Sequence, residues 1–458
     1  MKIAVLGGSP KGDISVTMQY VTYLAQQFPE HQFEVHQVAQ RIRAIEQEEG
    51  AFNTVLAAVE GADAVLWAFP LYVFLVPAQY KRFIELLNER QADVFRGKPA
   101  AILTTSIHFY DHIAHNYIRG IAEDLGMKVL GSYSAAMIDL FETKEQERLK
   151  AFALSFFTAV GRDAPVARVN PPLTKSDRVY TPDGDIFTVE PHPLKVMIVS
   201  DAGAADSNIK GMVDRLAGYY GDRTEVFNLH DIDIKGGCLG CIRCAYDHSC
   251  AYKGKDGFID FFNHLQQADI LILSGTIQDR YLSSRWKTFF DRSFFRTHIP
   301  SFTGKQLAYL VSGPFAQLPD LRQIFEAHTE LQQANLAGIV TDEAGDPSII
   351  DGLLRELAVG SIEFANAGYV RPPTYLSVGA RKLFRDEVWG RMRFPFVADH
   401  RYYQASGLYD FPQTDYKTRL RNLFFSMMLM IPHFRRGVYG QSMQDHMVAP
   451  FKKLLGRT

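Results

Sequence analysis

Along the first 370 residues, short apolar runs alternate with longer segments whose apolar positions recur at helical spacing. Ile3 to Leu6 is the first run, and it ends in Gly7 and Gly8. Apolar positions then return at Val16, Tyr20, Tyr23 and Leu24, which predicts strand, loop and helix. "FEVHQV", "ADAVLWAFP", "KPAAILTTS" and "MKVLGSYSAAM" read as four further strands. Helices are expected from about Pro77, near 111–125 and near 143–160. Such alternation predicts a parallel sheet covered on both faces.

The pattern then repeats. "LKVMIVSDAG", "TEVFNLHD", "ADILILSGTI", "KQLAYLVSGP" and "NLAGIVTDE" take the five strand positions, with a helix starting near Ser207. Asp63 precedes Lys98 by 35 residues, and Asp269 precedes Lys305 by 36. The first halves differ: Ile3 to Val65 spans 62 residues and Val196 to Ile270 spans 74. The excess falls on a segment holding all four cysteines. The expected organisation is one five-stranded α/β domain over 1–160, a Pro-rich linker with a small hairpin over 161–193, and a second domain over 194–370 carrying an insertion at 236–254. A basic, aromatic-rich, mostly helical extension follows over 371–458.

Bulk properties narrow the classes. A net charge of −2 gives no global field for nucleic acid. No run reaches the ~18 apolar residues of a membrane span, and the first apolar run is too short for a signal peptide. The expected compartment is cytoplasmic, where thiols stay reduced.

Candidate chemistry begins in "GGSPKGDISVT", between the first strand and first helix. A helix N-terminus at the C-terminal edge of a parallel sheet suits a phosphate. Ser9, Ser15 and Thr17 supply hydroxyls there and Lys11 a charge; an ordinary serine-capped turn is the alternative. The Walker and dinucleotide glycine registers are both absent. Pro70, Leu71, Tyr72 and Val73 end the third strand, and Thr105, Ser106 and His108 follow the fourth. An apolar, aromatic lip beside a phosphate loop suits a flat cofactor.

These residues resemble the flavodoxin-like NAD(P)H-dependent FMN reductases. That family's phosphate loop, G-S-P-x-x-x-S-x-T, is close to Gly8-Ser9-Pro10 through Ser15 and Thr17, and its P-x-Y matches Pro70-Leu71-Tyr72. The resemblance implies two tandem flavodoxin-like, doubly wound domains. FMN would have its phosphate on Ser9, Ser15 and Thr17 and its ring along Pro70–Val73 and Thr105–His108, with NAD(P)H as donor. The second copy departs: "SDAGAADSNIKG" puts Asp201 and Asp206 in the phosphate loop, and its third-strand loop lacks the proline. Arg280 and Arg285 could still serve a ligand there, with solvent-facing arginines as the commoner alternative.

The cysteines Cys238, Cys241, Cys244 and Cys250 read C-x2-C-x2-C-x5-C. Four closely spaced thiols suit an iron–sulfur cluster, and Gly236, Gly237 and Gly240 free the backbone to curl around it. Zinc, with His248 as a substitute ligand, and no metal at all are the rivals. The proline that follows the last cysteine of bacterial ferredoxins is replaced by Ala251. Placement after the second strand resembles the iron–sulfur flavoproteins, a branch of the same family in which paired domains bring cluster and flavin face to face. The implied activity is electron transfer between FMN and a four-iron four-sulfur cluster (4Fe-4S), within a pseudo-dimer fused into one chain and open to further oligomerisation. A redox partner or small-molecule acceptor would receive the electrons, and no nucleic acid is involved. The alternatives are an NAD(P)H-dependent flavin, quinone or nitro reductase without a cluster, and a non-catalytic redox sensor. No residue is assigned as a catalytic acid, base or nucleophile.

Two features stand apart. His108, His112 and His115 fall at i, i+4, i+7 and could share one helix face. In the tail, "TRLRNLFFSMMLMIPHFRRG" has the makings of a membrane-surface or docking segment; the reading adopted is a core or subunit-interface helix ended near Pro432.

Overall fold

The computed structural model describes residues 1–184, 187–439 and 442–455. Among the described residues ten strands form two sheets. The first holds β1 (Lys2–Gly7), β2 (Gln32–His36), β3 (Ala64–Pro70), β4 (Pro99–Ser106) and β5 (Lys128–Ala136), in the order β2-β1-β3-β4-β5. The second holds β6 (Val196–Ser200), β7 (Thr224–Asn228), β8 (Ile270–Thr276), β9 (Gln306–Ser312) and β10 (Asn335–Thr341), in the order β7-β6-β8-β9-β10. Every pairing is parallel. Each sheet therefore has the 2-1-3-4-5 order of the flavodoxin-like fold, with its switch point between first and third strands. Central strands such as "AVLWAFP" are buried from Ala64 to Phe69, as continuous apolar runs in a two-sided sheet must be.

Helices α1 (Val16–Gln27), α2 (Ile42–Gln47), α3 (Glu49–Glu60), α4 (Ala78–Glu89), α5 (Asp111–Asp124) and α6 (Thr143–Gly161) flank the first sheet. The second has α7 (Ser207–Tyr220), α8 (Phe258–Leu265), α9 (Ser284–Ser293), α10 (Pro319–Leu331) and α11 (Pro347–Asn366). The crossovers from second to third strand differ. The first domain uses α2 and α3; the second uses the cysteine loop and α8.

The linker is not a loose tether. Among its described residues no strand forms; Asp185 and Ile186, after the expected hairpin turn, lie outside the described residues. Tyr180 is buried in the second domain's core, and its backbone N–H donates to Asn208 Oδ1 at 2.9 Å. Glu123 accepts from the N–H groups of Val169 (3.1 Å) and Asn170 (2.8 Å).

The third strands align without a gap into α4 and α9, so "YKRFIE" and "WKTFFD" occupy equivalent positions. The two helices pack together, and their buried charges reciprocate. Lys81 Nζ lies 2.8 Å from Glu85 and 2.8 Å from Asp279 of the other domain. Its counterpart Lys287 pairs with Asp291 and reaches the Tyr72 carbonyl at 2.9 Å. Asp291 accepts from the Ala78 N–H at the start of α4 (2.7 Å), and Glu85 accepts from the equivalent Ser284 N–H at the start of α9 (2.5 Å). Each acid thus caps the partner domain's helix, as in a two-fold interface.

Beyond α11 come α12 (Tyr375–Trp389) and α13 (Val397–Ala405), then α14 (Tyr416–Met428), α15 (Pro432–Tyr439) and α16 (Ser442–Leu454). Residues Met1–His400 form one compact unit and Arg401–Thr458 another. Pro432 starts α15 rather than ending its predecessor. The core reading of the segment before it is incorrect: α14 has no buried residue. None of the described helices is long and apolar enough to cross a membrane.

Candidate functional site

The crevice at the β1/β3 switch point is built from the loops after β1, β3 and β4. In the first of these, Gly8 abuts Phe69 and Tyr80: a Cβ there would stand 2.6 Å from Phe69 Cβ, so only glycine allows the approach. Gly12 turns with φ +58°. Ser9, Ser15 and Thr17 are all buried. Ser9 Oγ accepts from Lys11 N–H (3.2 Å), and Ser15 Oγ caps α1 through Met18 N–H (3.3 Å). Thr17 Oγ1 meets Thr105 Oγ1 at 2.7 Å, tying the first loop to the fourth strand. The hydroxyls therefore shape the loop, and the anion-attracting feature is the N-terminus of α1 with Lys11 beside it.

The equivalent place in the second domain carries a buried carboxylate. Asp201 occupies the position of Gly8, and Gly275 occupies that of Phe69, so the carboxylate fills the vacated space and accepts from Ser283. Burial pushes Asp201 up to about 6. Arg280 and Arg285 are both bonded to groups within the protein. Arg280 binds Asp124 at 2.7 and 2.9 Å, and Arg285 binds the Leu229 and Ile232 carbonyls.

After β3, Tyr72 and Leu75 pair across a tight turn, Tyr72 N–H to Leu75 O at 2.8 Å. Its two central residues, Val73 (φ 36°) and Phe74 (φ 69°), lie in the left-handed region. A β-branched and an aromatic residue there carry strain of order 1–3 kcal/mol each, which the fold must hold in place. Pro70, Leu71, Tyr72 and Val73 are each partly buried. The Tyr72 hydroxyl is buried without a hydrogen-bond partner. Burial and the neighbouring Cys238, Asp291 and Cys241 hold the phenol well above its usual range.

Thr105 and Ser106 are buried, whereas His108 is exposed. The three histidines do not share a helix face. His108 precedes α5 with φ +61°, and its Nδ1 lies 2.9 Å from Asp111. His112 meets Gln323 (3.1 Å) and His115 meets Thr104 (2.7 Å). The Asp111 hydrogen bond raises His108, and burial pushes His115 down to about 4.

The cysteine loop of the second domain sits on this crevice. A Cβ on Gly240 would fall 1.8 Å from the Tyr72 hydroxyl and 3.7 Å from Lys11 Cδ. Gln79 of α4 fills the space beside Gly237 and donates to the Cys238 carbonyl at 3.1 Å. Arg43 of α2 donates to the Lys235 carbonyl. The glycines thus have a reason the sequence does not reveal. Only Gly240 of the three has a left-handed φ (+61°), and Gly237 is small because the first domain presses on it.

All four cysteines are free and line one cavity with Tyr252, Arg292 and Phe294. Burial pushes the Cys238 and Cys244 thiols up to about 12. Gly240 N–H points at Cys238 Sγ (3.5 Å). Arg292 lies 4.0 Å above the Tyr252 ring and is paired with Asp256 (2.8 Å). Among the described residues no group of three His, Cys, Asp or Glu side chains is arranged to hold a single metal ion.

Residues 1–139 match the family model described as NADPH-dependent FMN reductase. The match contains the loops after β1, β3 and β4. No curated protein matches the chain. Among solved structures, the NAD(P)H:(acceptor) oxidoreductase FerB from Paracoccus denitrificans is 18% identical, over 35% of this chain and 98% of its own (TM-score 0.29). An FMN-dependent NADH-azoreductase from Bacillus anthracis, in complex with FMN, is 13% identical over 36% and 99% (TM-score 0.26). General stress protein 14 from Treponema denticola, also with FMN, is 13% identical over 35% and 98% (TM-score 0.26).

Sequence reasoning misses Gln79, which reaches the cysteine loop, and Lys287 and Asp291, which tie α9 to the Tyr72 turn and to the start of α4. The repeated aromatic-Lys-x-Phe-apolar-acid pattern of "YKRFIE" and "WKTFFD" was the available signal.

Proposed function

We propose that the protein is a flavin-dependent oxidoreductase that takes electrons from NAD(P)H, holds FMN at the first domain's crevice, and passes electrons between FMN and a four-iron four-sulfur cluster in the cysteine loop. The observation that carries this reading is the contact of Gly240 with Tyr72, which gives the two candidate sites a common wall. Each group has residues of suitable chemistry in this chain. The orphaned Tyr72 hydroxyl and the glycine-lined turn suit a polar, flat ligand, and thiols spread around a cavity suit a cluster held at its corners. The matched sheets and reciprocal Lys81 and Lys287 pairs support a dimer fused into one chain, with domains at 1–160 and 194–370.

FMN, when bound, exchanges electrons in pairs or singly, and a cluster carries one. Lys11 and the α1 N-terminus would hold the phosphate, with Ser9, Ser15 and Thr17 fixing the loop. Pro70 to Val73 and Thr105 to His108 would wall the ring. Asp111 favours a protonated His108 at that rim. Cys238, Cys241, Cys244 and Cys250 would be the cluster ligands. Buried Cys238 and Cys244 keep their protons until a metal displaces them. Free thiols suit a reducing, cytoplasmic setting.

The absence of any three side chains drawn together for a metal ion among the described residues favours a second reading, a reductase without a cluster. Cys241→Ser separates the two. Under the first reading, anaerobically purified variant loses a broad visible absorbance that dithionite bleaches in the parent, and retains FMN. An unchanged spectrum favours the second reading. Loss of both cofactors would mean that the sites are not separable.

A further inference from the structure

We propose that helices α14 and α16 dock the protein onto an anionic phospholipid surface. This goes beyond the cofactor reading and does not depend on it. On α14 and the turn after it, Leu420, Leu423, Phe424, Met427, Met430 and Ile431 recur at i, i+3, i+4, i+7, i+10 and i+11, one stripe of a helix. All six are exposed, Leu420 to 71% and Met430 to 79%. A second stripe lies on α16 and its end, with Met447, Val448, Phe451, Leu454 and Leu455 exposed. Contiguous exposed apolar surface of this kind marks a contact site.

The charges identify the occupant. Exposed Lys417, Arg419, Arg421, Arg435 and Arg436 accompany the first stripe, and Lys452 and Lys453 the second. Residues 416–444 contain no Asp or Glu. A second copy of the α14 stripe would bring its cations together with no acid within 416–444 to pair them. An anionic bilayer offers both an apolar layer for the stripes and negative headgroups for the cations, which is how amphipathic basic helices lie in an interface. The whole chain is net negative, so the attraction is local to these helices.

The test uses the full chain in co-sedimentation with phosphatidylcholine vesicles, with and without phosphatidylglycerol. Binding is expected to the anionic vesicles, to weaken with salt, and to be slight on neutral ones. Arg435→Glu with Arg436→Glu should weaken it roughly tenfold or more. Leu423→Ser with Phe424→Ser should also weaken it, with circular dichroism unchanged because both side chains are exposed. No binding, equal binding to both vesicle types, or binding that these variants leave intact overturns the proposal. So does a concentration-dependent dimer, or a stoichiometric complex with an acidic protein, that covers the same stripe and excludes vesicles.

Discussion

Asp291→Ala is expected to destabilise the protein by about 3–5 kcal/mol, because it leaves the ammonium of Lys287 buried without its carboxylate. The same change uncaps α4, whose Ala78 N–H loses its acceptor 2.7 Å away. The urea midpoint should fall by about 1 M or more. Replacing both partners by apolar residues of similar size, Lys287→Met with Asp291→Leu, should restore most of the loss, since no charge is then stranded. A midpoint for Asp291→Ala within experimental error of the parent would show that the Asp291 contact with the start of α4 does not hold the domains together.

Gly240→Ala is expected to separate the two candidate sites while sparing each one. Its Cβ would fall 1.8 Å from the Tyr72 hydroxyl, and the backbone there is left-handed, so the cysteine loop must lift from the crevice. If both proposed cofactors are bound, they should stay bound, and NADPH-driven bleaching of the proposed cluster should slow because the cysteine loop stands further from the flavin site. Adding Tyr72→Phe removes the clashing oxygen and leaves Cζ at 3.0 Å from that Cβ, so part of the rate should return. Anaerobic stopped-flow absorbance reads both effects. An unaltered rate in Gly240→Ala would mean that the Tyr72 contact has no part in electron transfer.

Local signals in the chain carry most of the fold. Apolar runs of strand length, such as Ala64–Pro70, and evenly spaced helices are properties of neighbouring residues, so both sheets are legible without long-range information. The cysteine spacing is local too. Missing from a local reading is whatever depends on two distant segments meeting. Gly237 resembles any loop glycine until Gln79 is beside it, and Lys287 resembles a surface lysine until burial pairs it with Asp291. His108, His112 and His115 have helical spacing, but the helix starts at Asp111, so spacing alone misplaces the first. The exposed stripe of α14 has the same pattern as a core helix, because periodicity records an apolar face and not what covers it.

Metal, sulfide and flavin content of the anaerobically purified full chain, with its visible spectrum, tests the central claim most directly. The expected result is one FMN and one four-iron four-sulfur cluster for each chain, with flavin bands over a broad absorbance that dithionite bleaches. Stoichiometric zinc, or flavin without iron and sulfide after anaerobic reconstitution, would contradict it.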